Sequence, residues 1–189
     1  MRLFVALSIS AQVRERLASL LSELRRADAK PRWVNPENLH ITLKFVGHIA
    51  DEELPTILEA LRTMATPSPI ALEIRGIGFF PNERRPLVVW AGIQAAPELA
   101  ALAEQIDQSL ASGGIPRETR PFAPHLTLAR FKEARISEPL RALLAKCTDR
   151  SFGNQIVTQF HLMESKTKSS GAEYTTLHSF ALAAEGKHS

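Results

Sequence analysis

Apolar residues recur along this chain at two spacings, one typical of β-strands and one typical of amphipathic helices. Short apolar runs predict strands, and stripes that repeat every three or four residues predict helices with one buried face. In each half, these patterns predict a strand, a helix, a strand, a helix and a strand, and a further strand ends the chain. The predicted strands are 2–8, 39–46, 70–80, 87–93, 125–131, 155–164 and 174–183, and the predicted helices are 11–27, 51–64, 99–110 and 136–147.

One four-residue pattern occurs twice, at His40–Leu43 and at His125–Leu128, and each copy lies inside a predicted strand. The two histidines are 125 − 40 = 85 positions apart, and the same offset aligns residues 4–7 with 89–92. Because the identity between the halves is poor, the repeat is one of pattern and not of residues. We therefore expect a pseudo-twofold arrangement that makes the two motif strands face each other.

The length of 189 residues suits one domain, which we divide into halves at about 1–85 and 86–184. Residues 185–189 read as a tail. The longest apolar runs are far too short to cross a membrane. The single cysteine, Cys147, excludes an intramolecular disulfide and favours a cytoplasmic location.

Side chains i and i+2 of a strand point to the same face, so each motif sets an imidazole beside a threonine hydroxyl. Two such pairs that face each other supply a proton donor, a proton acceptor and two hydroxyls. These groups are the ones needed to cleave a phosphate ester without a metal. Because histidine works as acid or base near neutral pH, the residues alone do not tell which histidine is which.

Other catalytic patterns are absent from the sequence. It has no Gly-rich phosphate loop, no His-Glu-x-x-His, no cysteine pair and no Gly-x-Ser-x-Gly. We therefore expect neither metal nor cofactor. The remaining histidines lack a threonine two positions on and are interpreted as structural or surface groups: His48, His161, His178 and His188.

The charge balance leans slightly towards anionic partners, with a formal net charge of +3 and a pI of about 9.3. Each basic cluster alone is typical of a solvated surface, but together they are compatible with a phosphate-rich ligand. The clusters are Arg25, Arg26, Lys30 and Arg32, then Arg84 and Arg85, then Lys166 and Lys168.

The motifs and their context resemble one known family. The runs 2–7, 32–34 ahead of 38–47, and 121–130 resemble the bacterial and archaeal RNA 2′,3′-cyclic phosphodiesterases, also named 2′-5′ RNA ligases, of the two-histidine (2H) phosphoesterase superfamily. The resemblance extends to about Leu182. It implies a bilobal α+β fold in which two antiparallel sheets form a central cleft and helices pack outside.

The resemblance also implies a reaction, which is hydrolysis of RNA 2′,3′-cyclic phosphate ends to 2′-phosphomonoesters. It implies that His40 donates a proton to the departing 3′ oxygen and that His125 accepts one from water. Thr42 and Thr127 would bind the phosphate. The expected partner is RNA with such ends, including tRNA fragments, and we expect a monomer.

Three further residues are candidates for substrate contacts. Arg130 could neutralise phosphate charge, but strict alternation from His125 places it on the opposite face unless the strand twists or ends near Ala129. Trp33 and Phe122 could stack on a base.

Two alternatives to cyclic phosphodiesterase remain at this point. The same site could act as a 2′-5′ RNA ligase or phosphodiesterase on tRNA halves or 2′-5′ oligonucleotides. A different class of function is a non-catalytic protein that binds RNA ends. The intact histidines argue against the latter, since a binding protein does not need two titrating groups.

Overall fold

The computed structural model describes residues 1–169 and 171–183, so the predicted tail and His188 lie outside the described residues. The strands are β1 (Arg2–Ser8), β2 (Arg32–Trp33), β3 (His40–His48), β4 (Ile70–Phe80), β5 (Val88–Ala95), β6 (His125–Arg130), β7 (Ser151–Val157), β8 (Gln159–Lys168) and β9 (Gly171–Ala181). The helices are α1 (Ala11–Ala27), α2 (Leu54–Thr63), α3 (Glu98–Ser112) and α4 (Glu138–Ala145), and short 3₁₀ turns cover Pro36–Asn38 and Asp51–Glu53.

All four predicted helices are confirmed, because each carries a continuous apolar stripe. Helix α1 has the predicted bounds, and the Ser10 hydroxyl caps it by accepting a hydrogen bond from the Val13 amide at 3.3 Å. The acidic run before α2 forms a 3₁₀ turn, and the α-helix begins at Leu54. Its second residue is Pro55, whose missing N–H costs nothing in a first turn.

The prediction for the end of the chain was wrong in one respect. The segment predicted as one strand over 155–164 contains the end of β7 and the start of β8, separated at Thr158. No glycine or proline marks this boundary, and buried Val157 and Phe160 lie on either side of it. The short strand β2 was not predicted, since two residues are too few to show a period.

The strands form one sheet and not the two separate sheets that the resemblance implied. Within the described residues the strand order is β7-β4-β5-β6-β3-β1-β8-β9, every pair is antiparallel, and β2 adds to β6. Strands β7-β4-β5-β6 form one half of this sheet, and strands β3-β1-β8-β9 form the other. In the described residues the two sheet halves are connected by a single residue pair between β6 and β3, Ile41 with Leu126. The α+β class is confirmed, as a strongly curled antiparallel sheet with four helices.

The chain exchanges strands between the two halves of this sheet. Strand β4, from the first half of the sequence, pairs with β5 and β7 of the second half. Strands β8 and β9, from the second half, extend the sheet beyond β1. The pseudo-twofold relation between the sequence halves remains a prediction.

The helices cover one face of the sheet and close a single apolar core. This core includes the motif residues Ile41, Leu43, Leu126 and Leu128, all of which are buried. The motif histidines and threonines therefore point to the other face, which we name the motif face. No helix among residues 1–169 and 171–183 is both long and apolar enough to cross a membrane.

Candidate active site

The two motifs meet where the sheet halves join. Ile41 and Leu126, the second residue of each motif, are directly paired and fully buried. In an antiparallel arrangement the residues that flank this pair are neighbours across the junction, His40 with Thr127 and Thr42 with His125, although only Ile41 and Leu126 are ladder partners. The two histidines then lie on a diagonal, on the order of 7–8 Å between backbones. The junction therefore brings both histidine–threonine pairs together on the motif face.

Each histidine is oriented by the same backbone contact. The Nδ1 atom of His40 lies 2.7 Å from the carbonyl oxygen of Asn38, and Nδ1 of His125 lies 2.7 Å from that of Ala123. Because a carbonyl only accepts hydrogen bonds, Nδ1 carries the proton in both rings. The second ring nitrogen, Nε2, is left to give or take a proton on the motif face.

Aromatic rings flank both histidines. His40 lies against Phe4, with ring centroids 4.9 Å apart, and meets the edge of Tyr174 at 5.1 Å. His125 meets Phe80 edge-on at 4.9 Å and lies 6.3 Å from Trp90. Each imidazole therefore packs against two aromatic rings.

Sequence reasoning missed three of these rings: Tyr174, Phe80 and Trp90. Each lies in a predicted strand, but no local pattern connects it to a motif. They come to the histidines only through strand pairing, of β5 with β6, of β4 with β5, and of β9 with β8.

Gly78 makes room for the Trp90 ring. The two residues are direct partners on β4 and β5, and a Cβ atom on Gly78 would lie 2.1 Å from Cζ2 of Trp90. A glycine is therefore required for the indole to lie flat on β4. This close approach leaves the centroid of the Trp90 ring 5.2 Å from that of Phe80 and 6.3 Å from that of His125.

The environment of His40 lowers its pKa. Burial is the largest cause, the charge of His125 adds to it, and the hydrogen bond to the Asn38 carbonyl partly opposes both. His40 is therefore held towards the neutral form. A phosphate anion beside the ring acts in the opposite direction and favours the protonated imidazole.

Arg130 reaches the motif face through an irregularity in β6. Val89 pairs with Ala129 and Trp90 with Thr127, which leaves Leu128 as an extra residue in the ladder. Both Leu128 and Ala129 are consequently buried, and Arg130 returns to the side of Thr127 with its side chain exposed. Strict alternation fails here because of this bulge.

An equivalent irregularity occurs in β3. Val5 pairs with Lys44 and Ala6 with Thr42, so Leu43 is the extra residue. The exposed Phe45 then takes the place in the first motif strand that Arg130 has in the second, at the same offset of 130 − 45 = 85. Phe45 is 56% exposed, which is unusual for an aromatic ring on a central strand.

Trp33 and Phe122 occupy different positions. Trp33 pairs with the buried Ala129, packs against the core, and donates a hydrogen bond from Nε1 to the Asp28 carbonyl at 2.8 Å. Phe122 is half-buried against the core, three residues before His125. A base-stacking role for either ring remains a prediction.

A buried ion pair connects the first motif strand to the segment before the second. Nζ of Lys44 lies 2.5 Å from Oδ1 of Asp107 on α3 and donates to the Pro116 carbonyl at 2.7 Å. Asp107 also accepts from Arg117 at 2.5 Å and from the Glu118 amide at 3.0 Å. This network fixes the start of the segment that leads to His125.

The network also governs the charge of Asp107. Burial alone raises the pKa of its carboxyl group, but the hydrogen bonds from Lys44, Glu118 and Arg117 outweigh burial and hold the pKa below its ordinary value. Asp107 is therefore a buried carboxylate whose charge depends on these partners.

No metal site accompanies these residues in the part of the chain that the structure describes. Over residues 1–169 and 171–183, no group of three or more histidine, cysteine, aspartate or glutamate side chains is placed to hold an ion. Metal independence of the reaction remains a prediction.

Comparison with known proteins places this geometry in a family. The family model described as LigT-like phosphoesterase matches twice, over residues 7–90 and 93–174. An RNA 2′,3′-cyclic phosphodiesterase of Archaeoglobus fulgidus is 36% identical over 95% of this chain and 99% of its own. One of Methanothermobacter thermautotrophicus is 32% identical over 96% and 98%, respectively.

Comparison with solved structures supports the same family. The crystal structure of TT0787 from Thermus thermophilus superposes with a TM-score of 0.80 at 32% identity, over 98% of this chain and 100% of that one. The resemblance inferred from the motifs is thereby confirmed. The chain belongs to the LigT-like phosphoesterase family, within the two-histidine superfamily.

Proposed function

We propose that this protein hydrolyses the 2′,3′-cyclic phosphate at RNA ends and leaves a 2′-phosphomonoester. One observation carries the proposal: two histidine–threonine pairs adjoin at the Ile41–Leu126 junction, and a backbone carbonyl binds Nδ1 of each histidine, which leaves Nε2 for proton transfer. The names of the relatives support the substrate, because both are RNA 2′,3′-cyclic phosphodiesterases.

In the proposed reaction, water attacks phosphorus and the bond from phosphorus to the 3′ oxygen breaks. Nε2 of His125 takes the proton from water, and Nε2 of His40 gives a proton to the departing oxygen. Thr42 and Thr127 donate hydrogen bonds to the non-bridging oxygens, where negative charge increases in the transition state. The resemblance supplies the assignment of acid and base. The carbonyl bond at Nδ1 leaves Nε2 of neutral His125 as a proton acceptor, and the bound phosphate anion favours the imidazolium form that His40 needs in order to donate.

The direct test uses an RNA oligonucleotide that ends in a 2′,3′-cyclic phosphate, incubated with the purified protein in EDTA. The expected product is a 2′-phosphate, which ³¹P NMR distinguishes from a 3′-phosphate. We expect the rate to be the same with and without EDTA. A 3′-phosphate product, or no product, would overturn the proposal.

Related assays test the two alternative functions, the 2′-5′ RNA ligase and the non-catalytic binding protein. Ligation in the same site would join RNA halves by a 2′-5′ linkage, which mapping of the junction detects. A non-catalytic binding protein would bind the oligonucleotide and leave its cyclic phosphate unchanged.

The lowered pKa of His40 leads to a prediction about its titration. We expect the His125→Asn variant to titrate at His40 with a higher pKa than the intact protein, because the repulsion from a charged His125 is removed. Added inorganic phosphate should raise the pKa of His40 in the intact protein as well. Imidazole Cε1–H chemical shifts followed by NMR across pH 4–9 measure both changes, with exposed His48 as an internal control. Identical His40 curves under all three conditions would show that no charge coupling operates at this site.

A further inference from the structure

Two arginines lie directly opposite each other beside the site. Arg32 of β2 and Arg130 of β6 are ladder partners, and both side chains are exposed. Direct partners on antiparallel strands point to the same face with Cβ atoms about 4.5–5.5 Å apart. The two guanidinium groups therefore extend together from the motif face.

This arrangement is unfavourable without an anion. Like charges opposite each other on a ladder are destabilising. Among the described residues, neither Arg32 nor Arg130 forms a salt bridge with a carboxylate. Other arginines of this chain do have such partners, for example Arg75 with Asp149. The pair thus presents two cations to an external group.

The position of Arg32 is fixed by more than its own ladder bond. The neighbouring Trp33 donates its indole N–H to the Asp28 carbonyl at 2.8 Å, and the Val34 amide donates to the Leu128 carbonyl at 2.9 Å. Strand β3 pairs with β6 at Leu126, and β2 pairs with β6 further along the strand, at Ala129 and Arg130. Arg32 is held at the point where the two sheet halves separate.

The distance from the motif suits a second phosphate. Because Leu128 is the extra residue of the bulge, Arg130 is one same-face position beyond Thr127. One such position along a strand spans about 7 Å, the scale of one nucleotide along an RNA strand. Arginine binds phosphate through two parallel hydrogen bonds, so a facing pair can hold one phosphodiester firmly.

We propose that Arg32 and Arg130 together bind the phosphodiester on the 5′ side of the terminal nucleotide, with Arg130 on the side of the reacting phosphate. The substrate is then RNA of two or more nucleotides, in preference to a mononucleoside cyclic phosphate. This inference rests on the proposed function. It adds a subsite to the site where the cyclic phosphate reacts.

The test compares a mononucleoside 2′,3′-cyclic phosphate with a dinucleotide that ends in the same group. The intact protein should have a KM for the dinucleotide that is lower by about tenfold, the worth of one charge-assisted contact. Arg32→Gln should raise the KM for the dinucleotide far more than the KM for the mononucleotide, so that the ratio of the two KM values approaches one. Arg32→Lys should restore part of the preference. Arg25→Gln, a change at an exposed arginine in the last turn of α1, is the control that should preserve the ratio.

A dinucleotide with an uncharged internal linkage shows whether the preference depends on the charge of the phosphodiester or on the size of the substrate. A dinucleotide with an internal methylphosphonate should lose the preference with the intact protein, and Arg32→Gln should then have no further effect on the ratio. An unchanged ratio in Arg32→Gln overturns the subsite even if hydrolysis occurs. If neither substrate is hydrolysed, the proposed function fails, and binding of a dinucleotide 2′-phosphate with charged or neutral linkage decides the subsite separately.

Discussion

Alanine at either motif histidine is expected to lower kcat for a cyclic-phosphate oligonucleotide by about 10²–10⁴, the usual contribution of a general acid or base. Both side chains lie on the motif face, while the core contacts of these strands come from Ile41 and Leu126. We therefore expect the His40→Ala and His125→Ala variants to fold with melting temperatures close to that of the intact protein. Steady-state kinetics and thermal unfolding followed by circular dichroism measure the two effects.

The double variant is the sharper test. An acid and a base that act in one transition state do not contribute independently, so removing both should cost little more than removing one. His48→Ala is the matched control, because His48 ends the same strand as His40 and is exposed. It should retain full activity. If either motif variant keeps more than about a tenth of kcat, that histidine is not the acid or base proposed here.

The motif strands were predictable because their pattern is local. Alternation of His40 and Thr42 with buried Ile41 and Leu43 requires only a period of two residues and a core on one face. The meeting of the two motifs could be expected from the repeat. The residue pair that joins them, 41 with 126, is a long-range contact that no period in the sequence encodes.

The environment of the site was less predictable for the same reason. The face on which Arg130 lies depends on one extra residue in β6, and the adjacent apolar residues Leu128 and Ala129 fit a regular strand in the sequence as well as a bulge. Tyr174 reaches His40 only because β8 and β9 extend the sheet beyond β1. Sequence periods determine which residues share a face, whereas strand order determines which faces adjoin.

The buried network around Asp107 leads to the largest expected change in stability. Asp107→Ala should lower the free energy of unfolding by about 3–5 kcal/mol, because it leaves the buried Lys44 ammonium without its carboxylate. Replacing both partners with apolar residues, as in Lys44→Met with Asp107→Leu, should recover most of this loss, since no buried charge then lacks a partner. Urea titrations of the two variants and the intact protein measure the difference. Equal losses in both variants would mean that the ion pair is not the cause.

The Asp107 carboxylate should also make the free energy of unfolding depend on pH. Since the pKa of Asp107 is lowered in the folded protein, its contribution is complete above the ordinary pKa of an aspartate. The contribution is lost as the pH falls through the lower value of the folded state. The intact protein should therefore lose stability on acidification more steeply than the double variant that combines Lys44→Met with Asp107→Leu. Urea midpoints between pH 3 and 7 measure this slope.

The same network should affect catalysis through His125. Asp107 holds the Glu118 amide, and the chain from there runs to Ala123, whose carbonyl orients the imidazole of His125. Asp107→Ala should therefore lower kcat at temperatures where the variant is still folded. Leu102→Ala is the matched control, because it opens a cavity beside the same helix at a cost of about 2–5 kcal/mol and removes no hydrogen bond to this segment. If both variants lose the same fraction of kcat, loss of stability alone explains the effect. A loss confined to Asp107→Ala, accompanied by a changed Cε1–H chemical shift of His125 in the folded variant, identifies Asp107 as a positioning residue for the histidine.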